Sequence, residues 1–345
     1  QPGDVPCTAG RAFQRLYRQD NGQFTDVTAA SGLAQDSGLF RNHDHRGGYA
    51  AADVDGDGDL DLYAAQWFGP SRFYRNLGNG TFADATSSAG MALPQVLAQW
   101  QPVFADFNGD GHADLFVAVD FAANLLFMND GDGTFTEQAA SAGVASAWNE
   151  MGVALGDYDG DLDPDLYVTN VWQRVPGEHN VLFRNLSTPG TVSFDNPALA
   201  LGVGDCSWGW GTTFLDADRD GDVDLAATNG FSASDGPTYP TDASCYFRND
   251  GTAFTEMAAA AGLDDRLWGS SLVTADLDLD GRPDLVQTTK VHPAPGPLRL
   301  VMNRTAGDAA WIRIVPRQVQ GNTQAIGARV LVQAGGHTQV RFIQA

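Results

Sequence analysis

Residues 53–62 read DVDGDGDLDL, and five of these ten positions are aspartate. The pattern returns as DFNGDGHADL (106–115), DYDGDLDPDL (157–166), DADRDGDVDL (216–225) and DLDLDGRPDL (276–285). The intervals are 53, 51, 59 and 60 residues. A stretch that recurs at near-constant spacing marks a structural repeat and governs the reading of everything between its copies.

A second signature alternates with the first. It reads LYRQDNGQFTDVT (16–28), FYRNLGNGTFADAT (73–86), LFMNDGDGTFTEQA (126–139), LFRNLSTPGTVSF (182–194) and YFRNDGTAFTEMA (246–258), with a last LVMN at 300–303. Each full copy is two short alternating runs around a Gly/Asn/Asp turn, the pattern of a β-hairpin. Apolar runs also flank each aspartate stretch, such as GVALGD (152–157) and DLYVTN (165–170). One repeat therefore comprises four strands, with the aspartate loop between the first and second.

Four strands in about 50–60 residues, recurring five times, predict an all-β β-propeller with four-stranded antiparallel blades. Counting an N-terminal pair, five full repeats with Trp311–Val315 as the last outer strand, and two strands near 327–333 and 338–343 gives 24 strands. That number suits six blades closed by joining the terminal pairs, with seven as the other arrangement. Closure would remove exposed sheet edges. The expected layout is an arm at 1–12, a propeller at 13–304, and a segment at 305–345 that completes the propeller or packs on it.

Each aspartate loop follows D-x-D-x-D-G-x-x-D. Side-chain oxygens stand at positions 1, 3, 5 and 9, position 6 is a glycine for the reversal, and position 7 offers a backbone carbonyl. A cage of hard, anionic oxygens suits Ca²⁺ and lacks the His and Cys donors that softer metals prefer. Five structural Ca²⁺ sites are expected. The first is Asp53, Asp55, Asp57, Asp59 and Asp61; the second is Asp106, Asn108, Asp110, His112 and Asp114. The third, Asp157, Asp159, Asp161, Asp163 and Asp165, has Leu162 in place of glycine, which threatens its turn. The fourth is Asp216, Asp218, Asp220, Asp222 and Asp224; the fifth is Asp276, Asp278, Asp280, Arg282 and Asp284.

The formal net charge is −23. Such a chain is repelled by nucleic acid and by anionic membrane surfaces. No apolar run approaches the ~18 residues of a membrane-spanning helix. Position-1, -3, -5 and -9 carboxylates number nineteen, so most of the acidity is assigned to metal ligation.

The repeat and its blade context resemble the FG-GAP/VCBS repeats of integrin-α-type propellers over residues 13–304. QAIGARVLVQAGGHTQVRF (324–342) resembles the ASPIC/UnbV module that follows such repeats in the cartilage acidic protein family and its bacterial relatives, here in partial form. The resemblance implies a secreted calcium-binding propeller and supplies no catalytic mechanism.

Seven of the eight tryptophans (67, 100, 148, 172, 208, 210 and 268) fall on the rim opposite the aspartate loops, together with the long insertions at 170–180 and 229–245. Long loops on one face of a rigid scaffold are habitual recognition sites. Trp67, Trp172, Arg174 and Tyr239 are the candidate ligand contacts, for an extracellular glycan or protein. Trp100, Trp148, Trp208 and Trp268 recur at similar repeat positions and read as wedges between blades. His43 and His45 in NHDHRGG (42–48), with His179 and His292, read as a polar channel mouth.

Cys206 and Cys245 both belong to the fourth repeat and are predicted to form a disulfide. Closing a loop of that length contributes roughly 3–4 kcal/mol on the chain-entropy estimate. Cys7 has no evident partner.

The leading expectation is a secreted or surface-exposed calcium-stabilised binding or adhesion module. One rival is a structural subunit of an extracellular assembly, self-associating through the N-terminal arm, Cys7 or the C-terminal segment. The other is a polysaccharide lyase or hydrolase using Glu150, Asp44, His43 and His179.

Overall fold

Alternating apolar residues make a strand that buries both faces when sheets pack on either side of it. In the computed structural model, which describes residues 15–33, 46–172, 176–231, 242–291, 294–306, 310–319 and 321–344, four repeats form four-stranded antiparallel sheets in chain order. Blade 1 is Arg46–Ala52, Asp61–Gln66, Arg72–Asn76 and Phe82–Asp84. Blade 2 is Ala98–Ala105, Asp114–Asp120, Leu125–Asn129 and Phe135–Glu137. Blade 3 is Val153–Gly156, Asp165–Val168, Val181–Asn185 and Phe194–Asp195. Blade 4 is Gly209–Leu215, Asp224–Asn229, Cys245–Asn249 and Phe254–Glu256. Blade 5 has three strands, Trp268–Ala275, Asp284–Val291 and Ala294–Val301.

The core lies between blades. Successive residues of a second or third strand point alternately backward, to the preceding blade, and forward, to the next. In blade 2, Leu115, Val117 and Phe127 pack on blade 1, whereas Phe116, Ala118 and Leu126 pack on blade 3. Blade 3 meets blade 4 through Tyr167, Leu182, Leu225 and Phe247. Blade 4 meets blade 5 through Ala226, Tyr246, Leu272 and Leu285.

The expected six (or seven) blades are not formed: the described residues make five. The terminal pairs do not join into one sheet. The N-terminal hairpin, Tyr17–Asp20 with Gln23–Asp26, packs beside blade 1, where Leu16 and Leu33 meet Ala64 and Tyr74. The C-terminal hairpin, Arg329–Ala334 with His337–Phe342, lies instead over the aspartate loops. Its arginines are drawn to that acidic rim: Arg329 donates to the Leu162 carbonyl, and Arg341 stands 3.7 Å from Asp216. Gly321 abuts Gly58 in the first loop.

The fifth blade's outer strand, expected at Trp311–Val315, is likewise absent. Residues 311–315 carry no strand pairing, and the Trp311 ring sits on Gly281 of the fifth loop, filling the space a side chain there would need. Placement over the loop takes this segment away from the sheet edge.

Cys206 and Cys245 are bonded, with Cα atoms 6.0 Å apart. The bridge fastens the approach to blade 4's inner strand onto the start of its third strand. Replacing both cysteines by serine is expected to lower stability by about 3 kcal/mol, read as a drop in the urea midpoint in calcium-containing buffer.

Candidate metal centre and the opposite rim

Each aspartate loop reverses direction through two left-handed residues. Positions 4 and 6 both have positive φ in all five copies: Gly56 and Gly58, Gly109 and Gly111, Gly160 and Leu162, Arg219 and Gly221, Leu279 and Gly281. Leu162 does not distort its turn. It takes φ 77° in the place of glycine, and its N–H reaches the Asp157 carboxylate as Gly58 N–H reaches Asp53. Holding a leucine there costs about 1–2 kcal/mol. At position 5, one carboxylate oxygen accepts the position-7 N–H in every copy, as in Asp57 from Asp59 and Asp110 from His112.

Four loops gather three carboxylates whose oxygens lie within 4.8 Å of one another: Asp53, Asp55 and Asp57; Asp157, Asp159 and Asp165; Asp216, Asp218 and Asp220; Asp276, Asp278 and Asp284. The second loop, with Asp106, Asn108, Asp110 and Asp114, has no such trio. Asn108 there turns its amide onto Asp110, donating to the carboxylate at 2.8 Å and accepting its N–H at 3.1 Å. Position-7 side chains lean outward: Asp59, His112 and Asp222 lie against Gly78, Gly131 and Gly251 in the third-to-outer-strand turns of their own blades. Arg282 folds back on Asp280 at 2.7 Å. In those four loops the side chain at position 7 is engaged elsewhere, which leaves its backbone carbonyl as the group it can offer inward.

The donor set fits a hard divalent cation. Asp53 Oδ1, Asp216 Oδ1 and Asp218 Oδ1 are buried and have no hydrogen-bond partner, an arrangement that is costly for an anion unless a cation is close. Burial pushes the Asp157 and Asp216 carboxyls up to about 6. Asp114 is pushed to about 8 and Asp165 to about 9, again by burial. The protein supplies some countercharge itself. Arg75 lies 3.0 Å from Asp55 and 2.8 Å from Asp61, and Arg304 lies 2.9 Å from Asp278.

Position 9 has a second task that its motif conceals. Asp61, Asp114, Asp165, Asp224 and Asp284 each accept, through Oδ1 at 2.8 Å, the N–H of an asparagine at the end of the third strand or, for Asn303, two residues past it. These asparagines, Asn76, Asn129, Asn185, Asn249 and Asn303, close the repeated signatures FYRN, LFMN, LFRN, YFRN and LVMN. In blades 2 to 5 the side-chain amide also donates across to the preceding blade's loop: Asn129 to Val54 O, Asn185 to Phe107 O, Asn249 to Tyr158 O and Asn303 to Ala217 O, at 2.7–2.9 Å. In those four blades one residue thus locks loop to strand and blade to blade. The recurrence of that asparagine as the fourth residue of each blade's signature was the signal available in the sequence. Asn185, in a glycosylation sequon, is buried by this role.

The opposite rim carries a connected run of aromatic rings. Trp67 lies 5.8 Å from Trp100, Trp100 lies 6.0 Å from Trp210, and Trp210 meets Trp268 at 6.0 Å. Phe231 stacks on Trp208 at 4.1 Å. The indole N–H groups of Trp67 and Trp100 both donate to Asp120, at 3.3 and 3.4 Å. Trp67, expected as a ligand contact, is therefore half-buried and held in this run. Trp172 is half-buried too, its backbone N–H donating to Ser207 O. Arg174, Tyr239, His43, Asp44, His45, His292 and Cys7 lie outside the described residues.

The exposed rings are ones the tryptophan census passed over. Phe68 and Phe121 stack at 6.2 Å with planes 16° apart, and about half of each faces solvent. Both have positive φ, 56° and 65°. A bulky residue held in the left-handed region is a strained position, and such positions concentrate at functional sites.

Glu150 and Glu178 are fully buried below this rim. Ser146 donates to Glu150 at 2.6 Å, and the Trp148 N–H does so at 3.1 Å. Asn149 donates to Glu178 at 2.6 Å. His179 packs on Trp148, 4.7 Å between ring centres. Glu150 is thus enclosed by its own loop.

Asn185→Ala removes both donors from Phe107 O and Pro164 O, and is expected to cost about 2–4 kcal/mol in chemical denaturation. Burial raises the Glu150 carboxyl to about 7 from the usual 4.5. The folded state then binds more protons than the unfolded state between those values, so this group's contribution to stability falls as pH rises through that window. In Glu150→Gln the Ser146 hydroxyl can reverse its bond. We expect the unfolding free energy of the variant, from urea titrations, to decline less between pH 5 and 8 than that of the parent, by about 3 kcal/mol at most.

Residues 53–117 and 106–168 match the FG-GAP-like repeat family. The chain is 27% identical over 272 residues to cartilage acidic protein 1 of Xenopus tropicalis, covering 77% of this chain and 40% of that protein. It is 29% identical over 240 residues to the Homo sapiens protein of the same name, covering 66% and 34%. Among solved structures, Bacillus licheniformis rhamnogalacturonan lyase aligns with a TM-score of 0.38 and 14% identity over 76% of this chain and 51% of that one, a likeness that carries no argument. The chain spans less than half the length of the curated relatives it matches. Residues 53–168 thus match the FG-GAP-like repeat, and the chain is distantly similar, at 25–29% identity, to cartilage acidic protein 1.

Proposed function

We propose that this protein is an extracellular, calcium-stabilised propeller that binds a glycan or protein ligand on the rim opposite its aspartate loops. The observation that carries the reading is the division of labour between the rims. One is filled with desolvated carboxylates and crossed by the C-terminal hairpin; the other presents a rigid aromatic run ending in the Phe68–Phe121 pair. Parallel exposed rings offer a large apolar face with little conformational freedom to lose, as stacking on a sugar ring or an apolar loop requires. A disulfide and a high aspartate count both suit an oxidising, calcium-rich compartment. Glu150, sealed in its loop, favours binding over acid–base catalysis at this rim.

All five loops are assigned as Ca²⁺ sites in this proposal, with carboxylates at positions 1, 3 and 5, Asn108 replacing one, and the position-7 carbonyl as a further donor. The ninth aspartate contributes in the third and fifth loops, where Asp165 and Asp284 stand within the carboxylate trios. Extracellular sites of this kind bind at about 0.1–1 mM, so 2 mM calcium would stabilise the fold by about 0.6–1.8 kcal/mol per site. Thermal unfolding with EDTA and with restored Ca²⁺ checks this. A melting curve indifferent to verified metal removal would end the calcium assignment.

Ligand binding is tested on a glycan array, with and without Ca²⁺, comparing the parent with Phe68→Ala/Phe121→Ala. Loss of array signal at an unchanged melting temperature is expected, since both rings are exposed. Signal retained by the double variant would move the site elsewhere.

A further inference from the structure

The packing between blades repeats so regularly that its interruption is informative. The residue three places before each third-strand asparagine faces forward into the next blade. It is buried in blades 1 to 4, as Phe73, Leu126, Leu182 and Tyr246. In blade 5 the same position is Leu300, 58% exposed, and Leu298 beside it is 63% exposed. The forward-facing position of the second strand behaves alike: Tyr63, Phe116, Tyr167 and Ala226 are buried, whereas Val286 is only half-buried. Blade 5 therefore presents an apolar forward face of the kind the other four cover.

The complementary surface is exposed as well. The residue two places before the third-strand asparagine faces backward, and is buried as Tyr74, Phe127, Phe183 and Phe247. Its equivalent in the N-terminal hairpin is Tyr17, 49% exposed. Phe24 matches Phe82 of blade 1 in register, Gln19 opposite Phe24 as Asn76 is opposite Phe82, and is 72% exposed. Among the described residues Tyr17–Asp20 occupies a third-strand position with no second strand on its other side, a sheet edge. Both faces are solvent-exposed at once, so they are not satisfying each other within one molecule.

We propose that copies of this chain associate head to tail, the blade 5 forward face of one copy (Val286, Leu298, Leu300) receiving the N-terminal hairpin (Tyr17, Phe24) of the next. A second copy is the occupant because the contact continues an interface the chain already makes between successive blades, and the chain itself displays the unused half of that interface. The contact is heterologous, so each copy keeps one free face and the association extends to higher species unless a ring closes. Charge of −23 per copy opposes it, and salt and bound cations relieve that repulsion. This inference stands independently of the ligand proposed for the aromatic rim.

The test is sedimentation velocity and light scattering on the full chain in about 150 mM NaCl with calcium, over about 1–200 µM protein. The parent is expected to show concentration-dependent species beyond a dimer. Leu298→Lys/Leu300→Lys blocks one face and Tyr17→Lys/Phe24→Lys the other. Lysine lowers the net negative charge, so weaker association cannot come from added repulsion, and exposed sites leave folding intact, verified by melting. Each variant alone should be monomeric, with affinity at least about tenfold weaker. An equimolar mixture, holding one live face of each kind, should give a 1:1 dimer and nothing larger. A parent that stays monomeric throughout, association surviving in either variant, or a mixture that forms no dimer would overturn the proposal.

Discussion

A buried carboxylate that accepts a backbone N–H from the neighbouring strand, while that strand's asparagine amide reaches into the loop of the blade before, is the contact on which this propeller depends. The pair places the most strongly charged turns of the chain at fixed positions on the sheet. Without it each aspartate loop would be a solvated turn, free to spread its like charges. In four of the loops three carboxylates stand within 4.8 Å of one another in a partly desolvated site, a configuration costly for anions unless a cation is near. The rigidity of this rim and the close grouping of its carboxylates are therefore two results of one geometry.

The same geometry explains where the C-terminal hairpin goes. A chain so short of basic residues has few cations to place, and Arg75, Arg304, Arg329 and Arg341 all end on or beside the aspartate loops. Loop charge pulls the hairpin across the rim and away from the sheet edges it was expected to extend. Blade 5 is left with three strands and an uncovered forward face. An electrostatic demand at one rim thus shapes the hydrophobic surface at the side of the ring.

Much of this was legible in the amino-acid order. The repeat interval and the alternation around each turn specified four-stranded antiparallel blades, because strand periodicity and turn chemistry are local properties. Cys206 and Cys245 were legible for a related reason, lying at matched places in one repeat. The double role of the ninth aspartate was not, since a motif cannot say whether an oxygen faces a cation or a backbone N–H. Leu162 misled for the opposite reason: a local rule warned of distortion, and surrounding hydrogen bonds hold the leucine in the left-handed region. The exposed pair Phe68 and Phe121 went unnoticed because exposure depends on backbone direction, which residue type does not report.

The sequence by itself determined the repeat, the strand order within a blade and the chemistry of the loops, all encoded within one repeat length. Only the tertiary structure decided the number of blades, the seat of the C-terminal hairpin and which aromatic rings face solvent. Those outcomes rest on contacts between residues far apart in the chain, such as Arg329 with Leu162 and Gly321 with Gly58. Long-range charge and packing set them, and no local pattern carries that information.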